Sequence, residues 1–259
     1  PRAKATSSEK TKKRKSSGLW DTIRTVAYAV IAAMVVRSVA LEPFNIPSGS
    51  MIPTLMVGDY LFVSKYAYGY SKYSLPWNID LFSGRIFGSD PERGDVAVFK
   101  LPRDNETDYI KRIVGLPGDR IQVLDGVIQI NDVPVEKRRA ENFVFTDLYG
   151  RKRTIAQFEE ILPNGARHHT LDSNPNGNLD NTKIFTVPEG HFFAMGDNRD
   201  NSLDSRIDNA YSGVGFIPAE NLVGRAEFIF YSTNGGAEIW EIWKWGKATR
   251  FDRLFLSVD

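Results

Sequence analysis

The sequence predicts a mainly β protein: antiparallel sheets that close partly into a barrel, a smaller inserted lobe and an N-terminal transmembrane helix. Short segments rich in β-branched and aromatic residues recur between residues 59 and 231, and no helical periods lie between them. Strands at this spacing are typical of antiparallel, partly closed β folds. A polar stretch over 131–183 interrupts the series, and one apolar run precedes it.

The N-terminal part of the chain combines a basic tail with an apolar run. Residues 1–19 are polar and rich in lysine and serine, which predicts a tail without stable structure. Extending the apolar run 25–36 over 20–41, with Arg24 and Arg37 reaching toward the headgroups, predicts a single-pass transmembrane anchor. Because positive charge keeps its end of a membrane segment in the cytoplasm, we expect the tail inside and the remainder outside. An amphipathic surface helix and a removable leader are the alternatives.

Eight segments after the anchor are predicted as strands, because they are short and rich in β-branched and aromatic residues. Asp125-Gly126 joins two of them and is typical of a two-residue hairpin turn. The eight segments are 59–64, 95–101, 109–114, 119–124, 127–130, 184–187, 191–195 and 222–231.

The polar stretch 131–183 differs in composition from the strands on either side. It carries two basic clusters and then loops rich in Asn, Gly and Pro around 163–181. We interpret it as an inserted lobe. It divides the β core into a first part, 42–130, and a second part, 184–259, which includes the C-terminal tail.

Composition and charge exclude several classes of protein. With 42% hydrophobic and 25% charged residues among 259, the chain is globular rather than disordered. It has no cysteine, which excludes a disulfide framework and a thiolate metal site. Seven of the basic residues and one acidic residue fall in 1–15, which leaves 26 basic and 31 acidic residues for the rest. A mildly acidic body is not typical of nucleic-acid binding.

Two groups of aromatic residues stand out between the predicted strands. They fit either ordinary core packing or contact with the membrane headgroups, where amphipathic rings are favoured. The first group is Tyr66, Tyr68, Tyr70, Tyr73, Trp77, Phe82 and Phe87, and the second is Trp240, Trp243 and Trp245.

A Pro/Ser/Gly segment at 47–54 is the first candidate for catalysis. Its prolines stiffen the backbone, and Gly49 lets it approach another chain closely, so the hydroxyl of Ser50 could be held beside a substrate. An ordinary turn is the alternative. The sequence lacks the G-x-S-x-G elbow of the α/β-hydrolases. None of the three histidines lies in the context of a known triad, and we expect His168, His169 and His191 to be surface residues.

Lys111 is the candidate base. Strand alternation places it on one face with Tyr109 and Ile113, which would draw its amine out of water. Desolvation lowers the pKa of a lysine and makes the neutral amine available as a proton acceptor, the condition for a serine–lysine dyad. A surface lysine on an exposed strand is the alternative.

Residues 196–206 form a polar cluster with three aspartates, two asparagines, two arginines and two serines. Alternate positions from Asp200 to Asp204 resemble the start of a calcium loop. The loop's glycine is replaced by Ser205, however, and its final glutamate by Tyr211. The cluster therefore predicts a hydrogen-bonded loop that holds other groups in place.

Taken together, four blocks resemble the bacterial type I signal peptidases, which are serine–lysine dyad proteases. The blocks occur in the family's order and are 47–55, 93–99, 109–119 and 196–206. The resemblance as a whole covers residues 42 to about 231. The resemblance implies that Ser50 is the nucleophile and Lys111 the general base. It also implies an oxyanion hole formed by the Ser48 hydroxyl and the backbone N–H of Ser50.

Further roles follow from the same resemblance. Ser202 is expected to orient the Lys111 amine. Two ion pairs, Asp197 with Arg112 and Asp204 with Arg206, should hold the 196–206 loop against the site. Apolar pockets for small substrate side chains would be lined by Phe44, Ile46, Pro47, Met51, Leu55, Val98, Tyr109 and Ile110.

The implied function is that of a membrane-anchored serine endopeptidase. It would remove signal peptides with small residues before the cut from secretory preproteins, and it would need no metal and no cofactor. The resemblance places it in the bacterial inner membrane, in contact with lipid and near the secretion machinery, with its catalytic domain on the outer face. A membrane-tethered peptide-binding module without turnover and a self-cleaving repressor-type relative are the alternatives.

Overall fold

The computed structural model describes residues 18–74, 84–146, 151–236 and 240–258. The predicted basic tail lies outside them up to residue 17, as do Trp77 and Phe82. Two helices are α1 (Leu19–Val39) and α2 (Trp245–Ala248). The strands are β1 (Leu41–Asn45), β2 (Asp59–Ser64), β3 (Val96–Lys100), β4 (Asp108–Gly115), β5 (Arg120–Leu124), β6 (Val127–Ile130), β7 (Val133–Pro134), β8 (Glu136–Arg139), β9 (Phe143–Thr146), β10 (Lys152–Ile161), β11 (Arg167–Asp172), β12 (Phe185–Thr186), β13 (His191–Met195), β14 (Ile217–Pro218) and β15 (Leu222–Ser232).

The prediction of a mainly antiparallel β fold is confirmed. The largest sheet has seven strands in the order β1-β2-β15-β3-β4-β13-β14. A second sheet, built from the insert, has the order β11-β10-β8, with β9 also paired to β10. A third has the order β12-β5-β6-β7.

All eight predicted strands are present. The Asp125-Gly126 hairpin joins β5 to β6, and both residues have positive φ, 48° and 72°. Positive φ at both central positions is what the two-residue turn of a tightly twisted hairpin requires.

The insert departs from the prediction. A loop was expected around 163–181, but 167–172 forms β11, which pairs with β10 from Ile161↔Arg167 to Ala156↔Asp172. The apolar alternation that reveals a strand is weak in Arg-His-His-Thr-Leu-Asp, because polar side chains fill its buried positions.

The core consists of three apolar clusters that cover both faces of the large sheet. Along β3, Val96 and Val98 belong to one cluster, whereas Ala97 and Phe99 belong to another. The third cluster lies between β4, β13 and the third sheet and includes Val114, Phe193, Ile121 and Ile128. Because β3 and the end of β4 are buried on both faces, side chains placed there are held rigidly.

The N-terminal helix ends at Val39, and the chain enters β1 two residues later. The predicted span 20–41 therefore covers α1 and the first residue of the sheet. Within the described ranges, no helix combines the length and apolar character needed to cross a membrane. Helix α1 exposes several apolar side chains, among them Trp20, Val26 and Val30. The side chain of Arg37 lies outside the description.

The aromatic groups divide between core and surface. Tyr68 and Tyr73 are buried, whereas Tyr66 and Phe87 are exposed. The described C-terminal tryptophans, Trp240, Trp243 and Trp245, are all exposed. Core packing is therefore confirmed for Tyr68 and Tyr73, whereas contact of the exposed residues with membrane headgroups stays a prediction.

Candidate active site

Ser50 lies in a turn whose ends are fastened to each other. The Ile46 N–H donates to the Asp59 carbonyl at 2.8 Å, and the Gly58 N–H donates to the Ile46 carbonyl at 3.0 Å. These bonds close the loop that carries the serine, and the Ser50 side chain is largely buried. The nucleophile candidate is therefore held on a short closed loop between β1 and β2.

Lys111 reaches this serine from β4. Its Nζ lies 2.8 Å from Ser50 Oγ and donates to the Ile110 carbonyl at 2.9 Å. It also lies 5.2 Å from the centre of the Tyr109 ring. Only 3% of Lys111 is exposed. The structure thus brings the two predicted catalytic residues, 61 positions apart, into direct contact.

Burial changes the acidity of this amine. It lowers the pKa of Lys111 from 10.5 to about 8, although the carboxylates of Asp204 and Asp197 oppose the change. Roughly a tenth of Lys111 is therefore uncharged at pH 7, and this fraction rises with pH. An uncharged amine has a lone pair that can take the proton from a hydroxyl at this distance.

A cleft of about 460 Å³ opens beside the pair. Ser48, whose Oγ lies 3.4 Å from Ser50 Oγ, is part of its wall. Six of the eight predicted pocket residues line the cleft: Phe44, Ile46, Pro47, Val98, Tyr109 and Ile110. It is a concave site with mainly apolar walls and a few polar groups at one end, as is typical of peptide and ligand sites.

Met51 and Leu55 lie elsewhere. Both are 0% exposed and pack in the core cluster that contains Val96 and Val98. The resemblance implied contact with substrate, but the loop turns these two side chains inward. They pack in the same cluster as the lining residues Ile46 and Val98 and do not line the cleft themselves.

Five lining residues were not predicted: Asn45, Thr107, Asp108, Asn201 and Leu203. Each is within two positions of a residue that was predicted, so proximity in sequence was the available signal. Leu203 is half exposed, which leaves an apolar side chain free at the cleft.

The 196–206 loop is held by two buried ion pairs, as the resemblance implied. Arg112 donates from Nε and Nη2 to Asp197 at 2.9 Å each, and Thr54 donates to the same carboxylate at 2.6 Å. Arg206 donates from Nε and Nη2 to Asp204, also at 2.9 Å. Burial alone would raise the pKa of both aspartates, but the arginine partners outweigh it and both pKa values are lowered. The carboxylates are thus charged and paired beside Lys111.

The position of Ser202 differs from the expectation. Its hydroxyl is buried beside Asp204, whose pKa it helps to lower, while Lys111 bonds to Ser50 and Ile110. Ser202 Oγ instead packs directly over Gly196, where any side chain would overlap it. The expected hydrogen bond between Ser202 and Lys111 is therefore absent.

His168 is not a surface residue, and that prediction is wrong. It is 5% exposed, and its Nε2 lies 3.5 Å from Glu160 Oε2. Burial and the charge of Arg112 lower its pKa to about 4, so the ring is neutral at physiological pH. No local pattern indicates this burial, because the histidine becomes buried only through the pairing of β10 with β11. His169 is exposed and His191 is partly exposed.

A further buried pair escaped the sequence analysis. Arg199 binds Glu160 with both ends of its guanidinium, at 2.6 and 2.5 Å. Glu160 belongs to β10 of the insert, whereas Arg199 belongs to the 196–206 loop.

Within the described part of the chain, no group of three or more His, Cys, Asp or Glu side chains is arranged to hold a metal ion.

Several known proteins are similar to this chain. The family model described as signal peptidase, peptidase S26, matches residues 19–231. Signal peptidase I of Rickettsia typhi is 44% identical over 214 residues, covering 80% of this chain and 78% of the relative. Signal peptidase I of Rickettsia akari is 45% identical over 215 residues, covering 80% and 77%.

A crystal structure of a signal peptidase I from Enterococcus faecalis V583 is similar over 53% of this chain and 97% of that one, with 25% identity and a TM-score of 0.30. The family model spans more than three-quarters of the chain, and the Rickettsia relatives share over 40% of their aligned residues with it. The chain belongs to the signal peptidase family, peptidase S26.

Proposed function

We propose that this chain is a serine endopeptidase that removes N-terminal signal peptides from secretory preproteins, with Ser50 as nucleophile and Lys111 as general base. One observation carries the assignment of roles: a buried lysine amine lies 2.8 Å from a serine hydroxyl at the end of an apolar cleft. The relatives are named signal peptidase I, which supports signal peptides of preproteins as the substrate class.

The reaction is an acyl transfer. The neutral Lys111 amine takes the proton of Ser50 Oγ as the oxygen attacks the carbonyl carbon of the scissile bond. The resulting ammonium gives its proton to the leaving amine, and the C–N bond breaks. Water then attacks the acyl-enzyme, with Lys111 again accepting a proton, and Ser50 is regenerated.

Oxyanion stabilisation is assigned to the Ser48 hydroxyl and the Ser50 N–H. Both groups belong to the closed loop that carries the nucleophile, so their position relative to Oγ is fixed before substrate binds. Donors aligned in advance in a dry site cost little reorganisation during the reaction, and loss of one such donor typically costs about 3–4 kcal/mol.

The substrate is proposed to lie extended beside β1, at the edge of the seven-stranded sheet. An extended peptide can add to such an edge by main-chain hydrogen bonds, while pockets select alternate side chains. Phe44, Ile46 and Val98 would bound the pockets for small residues before the cut.

Cleavage of a preprotein tests this proposal. The purified chain is incubated with a preprotein that has Ala at the last position of its signal peptide, and the product is identified by N-terminal sequencing. We expect one cut after that alanine and none when the alanine is replaced by tryptophan. Binding of both preproteins without any cut would favour the peptide-binding module instead.

The pH dependence of the same assay identifies the base. Since only neutral Lys111 accepts a proton, kcat/KM should rise with pH, about tenfold per unit, and level off above a pKa of about 8. A histidine base would give a midpoint near 6.5. A midpoint there would contradict the assignment to Lys111.

We further propose that the chain is attached to the bacterial inner membrane, with its catalytic domain on the outer face near the secretion machinery. Exposed apolar side chains on α1 and the exposed Trp240 and Trp243 support contact with lipid. The basic N-terminal residues support the orientation.

Fractionation of cells that express the full chain tests the attachment. We expect the chain in the membrane fraction, and we expect Val30→Asp, in α1, to shift it toward the soluble fraction. Val133→Asp is the matched control, because that valine is also exposed but lies in β7. A wild-type chain found in the soluble fraction, or equal effects of the two variants, would contradict the proposal.

A further inference from the structure

The inserted lobe contacts the 196–206 loop along its length. The Leu171 N–H donates to the Asp197 carbonyl at 2.8 Å. At the other end, the N–H groups of Ser173 and Asn174 donate to Asp200 at 2.7 and 2.9 Å. Between these contacts lies the buried pair of Glu160 with Arg199. The lobe therefore supports the loop with backbone bonds and with one charged anchor.

Arg199 is adjacent in the chain to the residue that holds the nucleophile. The Asn198 N–H donates to the Ser50 carbonyl at 3.0 Å, and its side-chain Nδ2 donates to the Gly49 carbonyl at 2.9 Å. The Arg199 carbonyl in turn accepts from Arg206 Nη2 at 2.5 Å. A shift of Arg199 would thus move both bonds that fix the backbone of Ser50.

The charges in this buried region balance. Its three carboxylates, on Glu160, Asp197 and Asp204, are paired with the guanidinium groups of Arg199, Arg112 and Arg206. His168 is neutral beside Glu160 and adds no charge. All these side chains are at most 6% exposed, so loss of one carboxylate would leave its arginine uncompensated in a dry environment.

We propose that Glu160 of the inserted lobe is a positioning residue of the active site. It anchors Arg199, and through the neighbouring Asn198 it fixes the backbone that sets Ser50 Oγ against Lys111. This inference rests on the proposed function, and it gives the lobe a role in the chemistry that its sequence does not reveal.

Loss of the ion pair between Glu160 and Arg199 should lower the rate of cleavage and raise the pKa of Lys111. A displaced Asn198 would loosen Ser50, and a misplacement of about 1 Å can cost about 100-fold in rate. Water admitted beside Lys111 would reduce the desolvation that lowers its pKa. Asp197, Asp204, Ser50 and the Tyr109 ring also face this amine, and the two carboxylates already favour its charged form.

Three variants test the inference: Glu160→Gln, Glu160→Asp and the control Glu159→Gln. Glu159 is the preceding residue of β10, and its contact with Arg167 is exposed and 3.8 Å long. For Glu160→Gln we expect kcat to fall about 10–100-fold with KM changed less than about threefold, and the acid limb of kcat/KM to move to higher pH. Glu160→Asp, which can still pair with Arg199, should recover most of the rate, and Glu159→Gln should match wild type.

A second measurement does not depend on turnover. The Lys111 amine is titrated by ¹³C NMR of its Cε, and we expect a higher pKa in Glu160→Gln than in wild type. An unchanged Lys111 pKa and a wild-type kcat in folded Glu160→Gln would overturn the inference. If the wild-type chain does not cleave, the proposed function fails while the titration still decides the positioning role.

Glu160→Gln could unfold, because it leaves Arg199 unpaired. In that case Glu160→Gln/Arg199→Gln, which carries no unpaired charge, takes its place. The same loss of kcat and rise of the Lys111 pKa are expected in this double variant. Wild-type values of both in the folded double variant would refute the role of the ion pair.

Discussion

Replacing Lys111 by methionine is expected to abolish preprotein cleavage, with kcat reduced about 10⁴–10⁶-fold, as is typical when a member of a catalytic pair is lost. Methionine has nearly the length of lysine and suits a site that is 97% buried, so the fold should persist. Without the amine, no group within 3 Å of Ser50 Oγ in the described structure takes its proton. Ser50→Ala should cause a loss of the same order.

The two variants are compared by single-turnover cleavage of a preprotein, with far-UV circular dichroism and thermal melting as tests of folding. Lys183→Met is the matched control, because that lysine is exposed and lies over the Phe185 ring. It should retain wild-type activity. A folded Lys111→Met protein that cleaves at the wild-type rate would disprove the dyad, and so would full activity in Ser50→Ala.

The change Asp197→Asn is expected to destabilise the fold by about 3–5 kcal/mol, the usual cost of leaving a buried charge without its partner. Asp197 accepts two hydrogen bonds from Arg112 and one from Thr54, and the two charged side chains are 1% and 2% exposed. An asparagine here would either turn its NH₂ donor toward the Arg112 guanidinium or lose one of the three hydrogen bonds that Asp197 accepts. Arg112 would then remain charged in a site that water does not reach.

Urea unfolding at pH 7 measures this loss directly. The control is Asp132→Asn, since Asp132 pairs with Arg120 at the same 2.9 Å distance but at the surface. Exposed pairs contribute little, so the control should unfold within about 0.5 kcal/mol of wild type. Equal losses in the two variants would show that burial of the Asp197–Arg112 pair has no special role in stability.

The strands of the core were predictable because apolar residues recur at the positions that the fold buries. In β3 and β5, apolar side chains fill the buried positions, and Asp125-Gly126 specifies its own turn. Strands β1 and β14 and the strands of the insert were missed. β1 is short and contains Pro43, and the insert strands bury polar residues such as Glu160 and His168. A pattern of apolar residues does not detect a strand that is buried through ion pairs.

The catalytic candidates were predictable to a similar, limited extent. Alternation in β4 indicated that Lys111 would lie beside Tyr109, and the Pro/Ser/Gly segment indicated a constrained Ser50. Neither observation shows that the two meet. The resemblance supplied the pairings of Asp197 with Arg112 and of Asp204 with Arg206, which the structure contains. It also suggested substrate contact for Met51 and Leu55, whose burial depends on how the loop turns.

The sequence by itself determined the β architecture, the family and the candidates for catalysis, because hydrophobic alternation and the four sequence blocks are local properties. Tertiary structure alone decided which of these residues touch, how dry the Lys111 amine is, and how the inserted lobe holds the 196–206 loop. The physical reason is that distance, desolvation and charge pairing arise between segments far apart in the chain. The pairing of β4 with β3 and of β10 with β11 brings those segments together, and no local pattern encodes either register.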